Sequence, residues 1–316
     1  MSEQEQPVVL FGGTGQVGRE TRLQIAPWWP VLAPPRTEVD LYDPDAVRSF
    51  LRMAKPALIV NAAAYTDVEK AEEDEERAMD LNAELPGLLA QEAKVRGIGF
   101  IHFSTDYVFD GAGGSGRRVT DDGRRAYRET DRPAPLNVYG RSKLRGELAI
   151  GAADPAYLIL RTSWVYGRRG RNFLLTIQRL ARERETLSVV ADQIGTPTWS
   201  RAIARATNEL VRKTAAQLTA DAIAERAGTY HLAARGEVSW HGFAEAIVAA
   251  MDTGAREWPA GKAKPPVNPI ATADYPTKAQ RPLVSVLDTR MMEDTFALTM
   301  PDWRDQLREC LTSGPG

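Results

Sequence analysis

Tyr139 and Lys143 stand four residues apart in VYGRSK, a spacing that puts both side chains on one face of a helix. That pair suits the reduction of a ketone. A free phenol has a pKa of about 10 and gives up its proton slowly at neutral pH. An ammonium one turn away favours the phenolate and lowers that pKa. The tyrosine can then protonate a carbonyl oxygen while hydride arrives at the carbon. Ser104 and Thr105 follow the apolar run 100–103, at the C-terminal end of a strand, where α/β enzymes gather catalytic groups. A hydroxyl there can polarise a substrate carbonyl. It can equally cap a helix or close a turn, and YxxxK alone is also the pattern of an exposed tyrosine beside a surface lysine.

A hydride donor leaves its own signature. Gly12, Gly15 and Gly18 form GxxGxxG directly after the apolar run Val8–Phe11 and at the opening of a helical segment. Glycines there let the backbone approach a pyrophosphate, and a helix N-terminus offers free N–H groups and a positive dipole end. Gly12, Thr14, Gly15, Gln16 and Val17 are the expected contacts of a dinucleotide. A glycine triplet also serves plain turns; the strand–loop–helix setting is what argues for the cofactor. The acid that usually binds the adenosine ribose is missing, and the chain reads Pro34-Pro35-Arg36. Arginine pairs with a 2′-phosphate, which favours NADPH over NADH; the alternative is a solvated surface side chain. Asp40 and Leu41 are placed to frame the adenine. Lys143 can also hold the nicotinamide ribose beside Tyr139.

These residues need a scaffold. The runs Val8–Phe11, 31–33, 57–61, 100–103 and 157–161 predict buried strands. Between them 17–25, 43–53, 71–96 and 138–150 predict helices, with Pro44 suited to a first turn and Pro86 expected to end or break its helix. Such alternation means parallel βαβ units and a Rossmann-type, doubly wound α/β sheet. Past Trp164 the pattern loosens. Helices are expected at 172–184, 200–213 and 240–251, strands at Leu187–Val190 and 229–232, and an irregular loop region over 254–282. Residues 1–165 with about 200–232 are the expected cofactor half. About 166–199 with 233–316 form a smaller α/β half for the substrate.

The chain has 316 residues, 40 Lys+Arg against 42 Asp+Glu, and 43% hydrophobic residues. It is long enough for a full core, and a net charge of −2 argues against a nucleic-acid partner. One cysteine, Cys310, rules out an intrachain disulfide, and three histidines leave little for a zinc site. The longest uncharged apolar stretch, 56–66, is too short for a membrane span, and MSEQEQPVV lacks a signal-peptide n-region. Together these point to the reducing cytoplasm.

At this level of detail the chain resembles a known family. FGGTGQVG (11–18), VNAAAYTDVEKAE (60–72), STDYVFDG (104–111), PLNVYGRSK (135–143), RTSWVYG (161–167), DQIGTPT (192–198) and YPTKAQRPLVSVLD (275–288) are similar to the dTDP-4-dehydrorhamnose reductases, extended short-chain dehydrogenase/reductases. The resemblance implies reduction of the C4 ketone of dTDP-6-deoxy-L-lyxo-4-hexulose by NADPH or NADH, giving dTDP-L-rhamnose. It makes Thr105 the catalytic Ser/Thr, Tyr139 the proton donor and Lys143 its partner and ribose ligand. Ala62, Ala63 and Ala64 would line the cofactor. Ser104, Asp106, Tyr107 and Trp164 would lie at the sugar, an indole face being suited to the apolar side of a deoxysugar. Asn172 would sit near the nucleotide-sugar phosphates, with Arg281 a further candidate for that anion. Arg168, Arg169 and Arg171 could steer a diphosphate or form a solvated turn. The acidic run 69–76 is expected to be only the exposed first turns of a helix.

Two features depart from the family pattern. The loop 111–126 is longer than the usual connection and carries Arg117, Arg118, Arg124 and Arg125; it is expected to be flexible, as a substrate lid or a disordered insertion. Some members dimerise through magnesium held by glutamates, and Glu20 would be one such position. Here Arg201 stands where a second acid would be needed, so no structural metal is expected, and the chain would be a monomer or a metal-free homodimer. Two alternatives stand beside the dTDP-sugar reductase. One is a reductase of another nucleotide sugar. The other is a non-catalytic NADP-binding subunit, like the regulatory subunit of methionine adenosyltransferase; the intact Thr105, Tyr139 and Lys143 argue against it.

Overall fold

The computed structural model describes residues 6–214, 220–252 and 263–313. In chain order the first half runs β1 (Val8–Phe11), α1 (Gln16–Ile25), β2 (Val31–Leu32), α2 (Pro44–Ala54), β3 (Leu58–Asn61), α3 (Val68–Ala71), α4 (Glu75–Met79), α5 (Leu85–Arg96), β4 (Gly99–Thr105), α6 (Val138–Ala153) and β5 (Ala156–Thr162). The second half adds β6 (Val165–Tyr166), α7 (Phe173–Glu183), β7 (Leu187–Val190), β8 (Ile194–Gly195), β9 (Thr198–Trp199), α8 (Ser200–Thr214), α9 (Ala220–Ala224), β10 (Gly228–His231), β11 (Val238–Ser239), α10 (Trp240–Ala249), β12 (Val267–Ile270), α11 (Arg290–Phe296) and α12 (Trp303–Thr312).

One sheet organises the chain. Its order is β10-β5-β4-β3-β1-β2, and every pairing is parallel. β1, β3 and β4 are buried at every residue, as strands covered by helices on both faces must be. Val8, Leu10, Leu58 and Val60 face one apolar cluster, while Val9, Phe11 and Ile59 face the other. β1 has β2 on one side and β3 on the other, so the order reverses there and a crevice opens beyond the strand ends. The glycine loop and residues 62–64 border that crevice.

Three expectations need correction. The fourth strand runs to Thr105, so Ser104 and Thr105 lie within it and not after it. Their side chains then point to opposite faces of the sheet. Pro86 does not end the helical run: a π segment, Asp80–Glu84, passes into α5, with the Leu85 N–H donating to the Asp80 carbonyl. Proline has no N–H to offer four residues back. The Asn82 carbonyl it leaves free lies so close to Gly146 of α6 that a Cβ there would collide with it. Lastly, the region 254–282 is not wholly irregular. Part of it, 254–262, lies outside the described residues, but Val267–Ile270 forms a strand parallel to β7. Pro269 is tolerated because this two-stranded sheet is all edge.

The loop 111–126, expected to be flexible, is a folded hairpin. The N–H groups of Gly114, Gly116 and Val119 donate to the carbonyls of Arg125, Ala126 and Arg124, and Arg117 is paired with Glu237. Val119 packs beside the buried Ala126, Val284 and Val286, which is the apolar contact that holds the hairpin down.

Candidate active site

The glycine loop and the 62–64 loop meet at Gly12, whose φ is +77°. That left-handed conformation favours glycine. A Cβ there would also collide with the backbone of Ala62 and Ala63, and one on Gly18 would collide with the Gly12 carbonyl. Gly15 caps α1 without a side-chain acceptor, so the first N–H groups of Gln16 and Val17 are left for a ligand, as a cofactor diphosphate requires. Thr14 is exposed on the same turn. These features fit a dinucleotide. Arg36 is exposed and lies 5.6 Å from the Tyr42 ring, with Arg77 at 4.8 Å from the same ring. Leu41 is half-buried against the core, and Asp40 accepts the Tyr42 N–H at 3.1 Å, which shapes the turn meant for the adenine.

α6 carries Tyr139 and Lys143. Asn137 caps it, accepting the Gly140 N–H at 2.8 Å, and Glu72 accepts the Val138 N–H at 2.7 Å. Tyr139 faces the Thr105 hydroxyl, which favours its phenolate, and packs edge-on against Tyr107 at 5.6 Å. Burial raises the Tyr139 phenol and pushes the Tyr107 phenol up to about 12. Lys143 is buried, donates to the Phe103 carbonyl at 2.7 Å and lies 3.0 Å from His102 Nε2. Burial draws it down to about 8. The charges acting on Tyr139 come from Asp106 and Tyr107 and both raise it, so the expected lowering by Lys143 is absent from the chain by itself.

Asp106, almost fully buried, links this pair to the C-terminal segment. Its carboxylate accepts from Thr105 at 3.1 Å and from Ser163 at 3.0 Å, and the nearby Ser285 hydroxyl also favours its charged form. Burial outweighs these bonds and pushes Asp106 up to about 6. Ser285 in turn accepts the Trp164 indole N–H at 3.1 Å. Trp164, Ser285, Asp106, Thr105 and Tyr139 thus lie in one row from the indole to the phenol. Ser104 takes no part in it. Its hydroxyl donates to Glu147 at 2.5 Å on the other face of the strand, where Arg161 holds the same carboxylate at 2.9 and 2.6 Å. Ser104 is therefore a support of β4 and not the expected substrate contact.

Trp164 also differs from expectation. Its φ is +45°, and its ring lies flat on Trp240 at 3.5 Å. Gly195 lies so close that a Cβ there would strike the indole. The indole is consequently not the open platform anticipated for a sugar. Asn172 is likewise occupied: it caps α7 and donates to Gln16 Oε1 at 2.8 Å and to the carbonyls of Gly167 and Arg169. It ties the 167–172 loop to the glycine loop, leaving its amide no free donor for a phosphate.

The acidic run 69–76 does more than solvate a helix. Glu69 accepts the Lys278 N–H and binds the Arg281 guanidinium, both at 2.9 Å, and Glu73 pairs with Lys278. Asn137 adds a bond to the Gln280 carbonyl at 2.8 Å. Residues 277–281 are thereby strapped over the start of α6, and Arg281 is spent largely on Glu69, close enough to Tyr107 to favour its phenolate. Sequence reasoning missed Glu69, Glu72, Ser163, Ser285, Trp240 and His102. The one signal that could have pointed to a tether is the clustering of five glutamates in EKAEEDEE. Arg201 donates to Glu20 at 2.8 Å, so an ion pair occupies the position considered for a magnesium ligand. Among the described residues no cluster of three or more His, Cys, Asp or Glu could hold a metal, and no helix is long and apolar enough to cross a membrane.

A buried YxxxK helix under a glycine loop, on this sheet, defines an extended short-chain dehydrogenase/reductase. Comparison with known proteins narrows the class. Residues 6–314 match the model of the RmlD substrate binding domain family. The dTDP-4-dehydrorhamnose reductase of Burkholderia thailandensis is 41% identical over 304 residues, 96% of this chain and 97% of that protein. Its Salmonella typhimurium counterpart is 39% identical over 312 residues, again 96% and 97%. The Bacillus anthracis enzyme of that name, solved in complex with NADP, superposes with a TM-score of 0.83 at 31% identity, covering 97% of this chain and 98% of that one. A UDP-glucose 4-epimerase of Thermotoga maritima, at 14% identity and a TM-score of 0.74, shares the fold. The chain belongs to the dTDP-4-dehydrorhamnose reductase family.

Proposed function

We propose that this protein reduces the C4 ketone of dTDP-6-deoxy-L-lyxo-4-hexulose to dTDP-L-rhamnose, with NADPH preferred to NADH. The observation that carries this reading is the Tyr139 phenol set against the Thr105 hydroxyl at the end of β4, one helical turn from Lys143. Gly12, Gly15, Gln16, Val17 and residues 62–64 would hold NADPH, which would supply the hydride for C4. Thr105 and Tyr139 bond the carbonyl oxygen, and Tyr139 delivers its proton there as negative charge develops. Lys143 holds the nicotinamide ribose. Tyr107 lies beside Tyr139 at the sugar, and Asp106 orients Thr105.

The division of labour follows the chain. Residues 1–165 with about 200–232 hold the cofactor, and about 166–199 with 233–316 hold the nucleotide sugar. The Glu20–Arg201 pair supports a monomer or a metal-free homodimer, working in the cytoplasm. The test is product identification: NMR of the reaction of the purified protein with NADPH and the 4-ketosugar nucleotide. dTDP-L-rhamnose is expected. A different C4 epimer, or no product from a protein that binds NADPH, would overturn the assignment.

A further inference from the structure

Behind the catalytic helix, three buried side chains run from the 62–64 loop to Lys143. The parallel register sets Asn61 of β3 beside His102 of β4, and both are fully buried. The Ala63 N–H donates to Asn61 Oδ1 at 3.1 Å. A backbone N–H can only donate, so this contact fixes which end of the amide is oxygen. Asn61 Nδ2 then faces His102 Nδ1 at 3.1 Å and must be the donor. His102 Nδ1 therefore carries a lone pair, and a neutral imidazole of that form holds its proton on Nε2.

Nε2 lies 3.0 Å from Lys143 Nζ. An N–H meeting an ammonium there would set donor against donor in a site closed to water, a costly arrangement. An amine fits instead: it accepts from Nε2–H with its lone pair and still donates to the Phe103 carbonyl. We propose that His102 favours the uncharged amine of Lys143 in the protein alone, and that Lys143 takes up one proton from solvent when it engages the cofactor ribose. The proton goes from water to Nζ, and no other bond changes. His102 is thus a positioning residue that couples cofactor binding to protonation.

The surrounding charges do not supply another explanation. Glu147, on the same helix, is paired with Arg161 of β5 and still favours the ammonium of Lys143, opposite to the effect of His102, and Asp106 at the end of β4 faces Tyr139. Burial acts in the same direction, drawing Lys143 to about 8 and His102 well below its ordinary value. Proton uptake should accordingly be small near neutrality and approach one per cofactor above about pH 8.5, where the dissociation constant for NADPH rises roughly tenfold per pH unit.

The inference rests on placing Lys143 at the cofactor, and the test separates the two. Calorimetric titration of the full-length protein with NADPH at pH 9, in buffers of different ionisation enthalpy, reads the protons taken up. Close to one is expected for the wild type. His102→Gln, whose amide oxygen can accept from an ammonium, should lower the uptake, with burial accounting for what remains, while NADPH still binds. Asn61→Asp should do the same, because a carboxylate accepts from Ala63 and from Nδ1–H and so leaves Nε2 bare for an ammonium. In the wild type, ¹⁵N NMR should show a fixed Nε2–H tautomer for His102, assigned by the loss of its signals in His102→Gln, because His241 also donates from Nε2, to the Val267 carbonyl. Tight NADPH binding by the wild type without proton uptake, or an Nδ1–H tautomer at His102, would overturn the proposal and leave the cofactor site standing. No NADPH binding at all would overturn both.

Discussion

The two sides of the active site are held together differently. On the cofactor side the functional residues sit at the ends of adjacent parallel strands. Phe11 is in register with Asn61, and Asn61 with His102, so the backbone ladder brings the glycine loop, residues 62–64 and Thr105 to one edge. On the sugar side the pieces come from distant parts of the chain and meet through side chains. Glu69 reaches Arg281 across 212 positions, Asn137 reaches Gln280 across 143, and Trp164 reaches Ser285 across 121. A ladder shares its load among many bonds, whereas a strap tied by a few side chains can be loosened by one substitution. The cofactor side should therefore yield only to changes of backbone shape or of the reacting groups.

The largest expected effect is chemical. Tyr139→Phe should lower turnover by roughly 10²–10⁴-fold, the usual contribution of a general acid, with NADPH affinity retained. Fluorescence titration alongside steady-state kinetics separates the two quantities. Next comes the backbone. Gly12→Ala forces a side chain into a left-handed turn against the 62–64 loop, a strain of about 1–3 kcal/mol. It should weaken NADPH binding by about ten- to a hundredfold and lower the melting temperature; unchanged binding would mean that the two loops do not meet as described. The strap is expected to respond more mildly. Glu69→Ala should raise KM for the sugar nucleotide by about tenfold or less, the scale of one partly exposed charged contact, and leave NADPH affinity alone. A loss on the cofactor side instead would erase the contrast between the two regions. The smallest effect is at Arg36, which is exposed. Arg36→Ser should reduce the preference for NADPH over NADH by about fivefold, as an exposed ionic contact worth up to ~1 kcal/mol allows.

The same contrast explains what could be read in advance. GxxGxxG, the Thr105–Asp106 pair and YxxxK each lie within one loop or one helical turn, so spacing alone places their members together. Ser104 was misplaced because the strand runs two residues past its apolar stretch, and alternation then turned the hydroxyl toward Glu147. His102 was hidden inside a strand, where a lone polar residue gives no sign of its partners. The glutamates of 69–76 looked like a solvated helix because their partners lie some 200 residues away. Val267–Ile270 lacks a strand's alternation and contains a proline; only pairing with β7 makes it one. Contacts of that kind belong to the tertiary fold and leave little trace in a local window of sequence.

The central claim is that Tyr139, set beside Thr105 at the end of β4, protonates a nucleotide-sugar ketone reduced by NADPH. Its most direct test is NADPH oxidation followed by absorbance at saturating cofactor, with and without dTDP-6-deoxy-L-lyxo-4-hexulose, for the wild type and Tyr139→Phe side by side. Oxidation that requires the sugar nucleotide and collapses in the variant is the predicted result. Sugar-dependent oxidation that proceeds at a near-normal rate without the Tyr139 hydroxyl would contradict it.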